Sequence, residues 1–141
     1  MRNGVISLLL SLLIVGSVQA ADVEVSNAWV KETIPGTENG AGYFTLTNQS
    51  NEPALLIGAS TDAARAVEVH QHVLVEGMMR MRRVPELVIG SGQTIVFQPG
   101  GYHLMVFGVK SPFIVGGQVE FTLHFADGEQ KTIQADIRAI N

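Results

Sequence analysis

The residues of this chain best suited to holding a soft metal ion are its histidines and methionines, and they are concentrated in one stretch. His70, His72, Met78, Met79, Met81, His103 and Met105 all fall between positions 70 and 105, with only His124 and the initiating Met1 outside it. Residues two apart on an extended strand leave the same face, so His70 pairs with His72 and His103 with Met105. If Glu76-Gly77 makes a two-residue hairpin turn, Val75 faces Met78, His72 faces Met81, and His70 takes the adjacent diagonal. Imidazole and thioether are neutral donors, and thioether sulfur is polarizable. Such a cluster suits Cu(I), with zinc a poor second, whereas Ca²⁺ and Mg²⁺ want oxygen. The 141 residues contain no cysteine. That excludes disulfides, Cys-X-X-Cys redox chemistry, thiolate zinc sites, iron–sulfur clusters, blue copper and a lipid-bearing cysteine. Methionine fits an oxidising compartment because a thioether cannot form a disulfide, although oxidation to sulfoxide removes it as a ligand.

The elements that must position these donors read as strands. Turn residues recur at short intervals, at Pro35-Gly36, Asn39-Gly40, Asn51 to Pro53, Glu76-Gly77, Gly90 to Gly92, Pro99 to Gly101, Gly116-Gly117 and Asp127-Gly128. Val119, Phe121, Leu123 and Phe125 alternate with Glu120, Thr122 and His124, the period of a strand with one buried face. Further strands are expected over Val23 to Glu32, Gly42 to Asn48, Ala66 to Val75, Met78 to Arg83, Thr94 to Gln98, Tyr102 to Val109 and Thr132 to Ile137. The stretch Ser60 to Ala66 allows at most a short turn of helix. Many short strands with regular turns predict an all-β sandwich or small barrel. Thirteen acids against nine bases give a net charge of −4, and no basic run could neutralise a phosphate backbone, which argues against nucleic-acid binding.

The amino terminus reads as an export signal. Arg2 precedes an apolar stretch from Val5 to Val15, Gly16 interrupts it, and Val18-Gln19-Ala20 supplies small residues for cleavage after Ala20. The apolar stretch is shorter than the roughly 20 residues a bilayer demands. The expected organisation is a signal peptide at residues 1–20 and one domain at residues 21–141, exported, with no membrane span after cleavage. In a Gram-negative host the destination is the periplasm.

The spacing His70, ten residues, Met81, twenty-one residues, His103, one residue, Met105 resembles the signature of the periplasmic copper chaperones of the PCuAC type. Similar blocks lie at Ser26 to Val30, at Ala41 to Phe44 with Asn48, at Gly77 to Arg82 and at Gln98 to Met105, so the resemblance spans nearly the whole mature chain. It implies a cupredoxin-like Greek-key β-sandwich with one exposed Cu(I) per chain, held by His70, Met81, His103 and Met105. It also implies a monomeric, non-enzymatic carrier that delivers copper for cytochrome oxidase assembly, to cytochrome c oxidase subunit II or a Sco-type protein. Two departures stand out. Some relatives carry a His/Met-rich carboxy-terminal tail where this chain ends at Ile140-Asn141, and His72 adds an imidazole the signature does not assign.

Other readings accompany these residues. Met78 and Met79 are expected as core filler, His124 as a surface residue, and Trp29 as core or edge packing, with a ligand-site aromatic as the alternative. His72 stands open between an accessory metal contact and a bystander. Arg80, Arg82 and Arg83 read as solvated charge, with docking onto an acidic partner as the alternative. Pro99-Gly100-Gly101 is expected to set the approach of residues 102–105. The rival functions are an exported β-sandwich interaction or adhesion module and a copper storage or tolerance protein. A cupredoxin electron carrier lacks its thiolate, and no nucleophile motif such as G-x-S-x-G supports an enzyme.

Overall fold

The computed structural model describes residues 22–140, so the expected signal peptide lies outside it. Ten strands follow one another: β1 (Val23–Lys31), β2 (Gly40–Asn48), β3 (Ala54–Ser60), β4 (Ala64–Val75), β5 (Met78–Arg83), β6 (Leu87–Ile89), β7 (Thr94–Val96), β8 (Tyr102–Val109), β9 (Gln118–Phe125) and β10 (Gln130–Arg138). Their hydrogen-bonded order is β5-β4-β8-β2-β1-β10-β9-β3-β6, with β7 on β2. A further pairing of β3 with β4, at Ala59 and Val67, closes the stretch from β4 to β3 into a ring and leaves β5 and β6 outside it. The all-β sandwich is therefore also a closed barrel, and β5 extends from it as the outer strand of a hairpin with β4.

The period of two decides which side chains fill this ring. In β9, Val119, Phe121, Leu123 and Phe125 are buried while Glu120, Thr122 and His124 face outward. Val67 and Val69 of β4 and Leu104 and Val106 of β8 point inward, joining Phe44, Leu46, Leu56 and Phe121 in the core. Their alternates Glu68, His70, His103 and Met105 must leave by the opposite face. The core thus fixes the face on which the candidate donors stand.

Two strands were not foreseen. β3 opens on Ala54-Leu55-Leu56-Ile57, a continuous apolar run, and β6 is three residues long. Neither shows the alternation that marks a strand; β3 is made one by pairing with β9, β6 and β4. The stretch expected to allow a turn of helix instead carries the turn between β3 and β4. The strand expected over Thr94 to Gln98 stops at Val96, and Phe97 makes only an isolated bridge to Tyr102. Among the described residues no helix is long and apolar enough to cross a membrane.

Candidate metal centre

The β4–β5 hairpin places the first donors. Glu76 and Gly77 have φ of 51° and 79°, the left-handed pair that a two-residue turn between right-twisted strands requires. The resulting register sets Val75 against Met78, His72 against Met81 and His70 against Arg83, as the sequence predicts for the first two pairs. On the other side of β4, β8 pairs His70 with His103 and Glu68 with Met105. His70 is consequently the centre of the array. His103 lies directly opposite it, while Met81 and Met105 occupy opposite diagonals, where long side chains remain within reach.

The three imidazoles gather at this centre. The ring of His103 lies 5.1 Å from that of His72 and 5.8 Å from that of His70, centroid to centroid. His103 is only 3% exposed, and Tyr43 of β2 packs beside it at 6.5 Å. Tyr43 is in turn covered by Trp29 at 4.5 Å, so Trp29 is edge packing next to the site. Trp29 reaches that face through a bulge. The β1–β2 register slips between Ser26 and Trp29, where Asn27 adopts a φ of 53°, and the extra residue turns the following side chains to the other face.

Pro99-Gly100 makes a turn closed by Gly101 N–H donating to Gln98 O at 2.9 Å, with Gly100 at a φ of 83°. Proline first and a left-handed glycine second is the pattern of a type II turn. The turn presents the carbonyl of Gly101, which accepts from His72 N–H at 3.3 Å and, at a long 3.5 Å, from His103 Nδ1. A proton on Nδ1 leaves the lone pair of His103 on Nε2. Burial, followed by the repulsion of His72, His70 and Lys31, holds the His103 pKa below the usual histidine range, whereas the Gly101 contact opposes this. Burial also pushes the Tyr43 phenol above its ordinary value.

His70 is oriented by a residue the sequence reading did not single out. Its Nε2 lies 2.8 Å from Glu68 Oε2, and Arg83 Nε stands 3.7 Å from the other carboxylate oxygen. A carboxylate accepts, so a neutral His70 carries its proton on Nε2 and its lone pair on Nδ1. Among the described residues, His70 Nδ1 is a buried side-chain nitrogen with no hydrogen-bond partner. The parity of Glu68 with His70, two residues away in sequence, was the available signal.

Among the described residues, no group of three or more His, Cys, Asp or Glu side chains converges into a metal-holding set. Met81 and Met105, which such a group leaves out, stand on the diagonals of His70. Met81 is 51% exposed, which leaves that side open. Met78 and Met79, expected in the core, are instead 61% and 60% exposed. The hairpin projects past the ring, and among the described residues β5 pairs with β4 alone. His124 stands apart from the site, half-buried and hydrogen-bonded to Ser60 Oγ at 2.7 Å. Arg80, Arg82 and Arg83 are all exposed.

Comparisons with known proteins bear on the family and the fold. Residues 23–137 match the sequence profile of the family described as "Putative lipoprotein LpqE-like". A curated relative from Leifsonia xyli subsp. xyli, named as a lipoprotein, is 31% identical over 121 residues, covering 85% of this chain and 72% of its own. The solution structure of Cu(I)-DR1885 from Deinococcus radiodurans superposes with a TM-score of 0.69 at 35% identity, over 87% of this chain and 83% of that one. The copper-bound PCuAC domain from PmoF2 shares the fold, with a TM-score of 0.72 at 21% identity over 86% and 96% of the two chains. On these grounds the chain belongs to the LpqE-like, PCuAC-related family.

Proposed function

We propose that this protein is an exported Cu(I) carrier that binds one copper ion per chain through His70, Met81, His103 and Met105 and releases it to an acceptor by ligand exchange. The observation that carries this reading is the array itself: two facing histidines, one with a buried unpartnered nitrogen, and a methionine on each diagonal. The likeness to DR1885, whose structure was determined with Cu(I), supports it.

Copper is the cargo, and each group has a role in carrying it. Two imidazoles and two thioethers form a neutral set that favours Cu(I) over Cu(II). Gly101 and Glu68 fix the proton-bearing nitrogen of His103 and His70, so that each ring offers its other nitrogen. The exposure of Met81 gives an incoming ligand access before the donor's own ligands have left. The carrier works as a monomer in the periplasm, the signal at residues 1–20 having been removed from the domain at 21–141. It is not an enzyme, and its acceptor is cytochrome c oxidase subunit II or a Sco-type protein, in the assembly of the oxidase copper site. Relatives are named as lipoproteins, but these 141 residues hold no cysteine for a lipid.

The test is Met81→Leu combined with Met105→Leu, which keeps apolar volume and deletes both sulfurs. The expected result is a folded chain that no longer competes with a chelator for Cu(I). Undiminished binding by the folded variant would remove these residues from the site.

A further inference from the structure

We infer that His72, Met81 and His103 form a second, outer Cu(I) position through which the ion leaves the protein. The inference rests on the carrier reading and adds to it an exit coordination on an imidazole that the family signature leaves out. The geometry points there in three ways. The His72 ring is nearer to His103 than the His70 ring is, at 5.1 Å against 5.8 Å. His72 rather than His70 stands directly opposite Met81 in the hairpin register. The two histidines of β4 also differ in freedom, since the His70 ring is tethered to Glu68 at 2.8 Å.

These features put the more exposed of the two methionines on the His72 side, Met105 being half-buried. Met105 lies on the Glu68 row and Met81 on the His72 row, with His103 between them and 3% exposed, whereas Met81 is 51% exposed. An ion held by His70, Met81, His103 and Met105 moves outward when its bonds to His70 nitrogen and Met105 sulfur break and one to His72 nitrogen forms. Met81 and His103 stay bonded throughout. Every ligand is neutral and copper remains Cu(I), so no electron or proton has to move. The ion then has three protein ligands and an open position for an acceptor's donor atom. A three-coordinate exit state of this kind lowers the barrier to exchange without requiring weak binding in the resting state.

The experiment uses the full mature chain loaded anaerobically with one Cu(I), with transfer to excess bathocuproine disulfonate followed by stopped flow. His72→Ala is expected to slow transfer about tenfold, since removing an exit ligand acts on the dissociation step. His70→Ala is expected to retain one Cu(I) at lower affinity, and the double variant His70→Ala/His72→Ala to retain none. Transfer from His72→Ala at the wild-type rate would overturn the exit position, as would loss of all copper from a folded His70→Ala. Failure of the unmodified chain to take up Cu(I) at all is a different result, and it would overturn the carrier reading together with this one.

Discussion

His103 and Glu68 show how much of the proposed metal centre lies in the surroundings of its candidate ligands. His103 is buried against Tyr43 and held neutral by burial and by the nearby His72, His70 and Lys31. A histidine in the unfolded chain takes up its proton near pH 6.5, and the folded chain resists doing so at this position. The unfolded state thus binds more protons, and stability falls with falling pH. For the metal-free chain the contribution is intact above about pH 6.5, is lost as pH drops below that value, and levels off beneath the lowered folded pKa. Urea midpoints between neutral and mildly acidic pH measure this, and His103→Gln is expected to flatten the slope. Glu68 acts on the other histidine. Glu68→Ala is expected to weaken Cu(I) affinity by about 10- to 100-fold in chelator competition, the usual loss when the partner of a metal-binding histidine is removed. Glu68→Gln, whose amide oxygen still accepts, is expected to restore part of it. The candidate histidines and methionines stood out in the sequence because their types and spacing are rare. Glu68 was not, because one carboxylate among thirteen acids carries no chemical mark until the fold brings it to a ring nitrogen.

At the scale of strands and turns, local sequence decides the register on which the centre depends. Glu76-Gly77 was readable as a two-residue turn, and it alone fixes His72 against Met81. A slip of one residue would send Met81 to the opposite face. The alternation of β9 and the pairs on β4 and β8 were equally plain, since each has one face in the core. β3 and β6 were not, because their apolar runs have no period and their strand character comes from neighbours far along the chain. Met78 and Met79 misled for a related reason. Methionine in a strand usually fills a core, but a hairpin tip beyond the barrel has no core to fill. Asn48 marks the far end of β2, fully buried, its amide donating to Glu52 O and Ile89 O at 2.7 and 2.9 Å. Its side-chain oxygen accepts from Ser50 N–H and Oγ. Asn48→Ala strands these groups, and it is expected to cost about 1–3 kcal/mol in urea unfolding. Cu(I) affinity is expected to be unchanged, because Asn48 lies away from the histidines.

In the whole molecule, a closed ring of strands supplies a wall, and the proposed centre stands on its outer face instead of inside it. The interior is occupied by Phe44, Leu46, Leu56, Leu104 and Phe121. β5 pairs with β4 at the end of the strand order and carries Met81 on an open edge. A donor on an edge and its partners on a wall suit a carrier, which has to hold its ion firmly and yet leave one side accessible. The all-β class was visible in the turn spacing, whereas closure of the ring rests on the single β3–β4 pairing at Ala59 and Val67, which no local pattern announces. The central claim is that this face holds Cu(I) through nitrogen and sulfur together. An anaerobic Cu(I) titration of the chain against a chromophoric chelator, followed by copper X-ray absorption on the saturated sample, tests it most directly. One tightly held Cu(I) with mixed histidine nitrogen and methionine sulfur ligation is expected. A folded chain that takes no copper from the chelator, or holds it without sulfur, would contradict it.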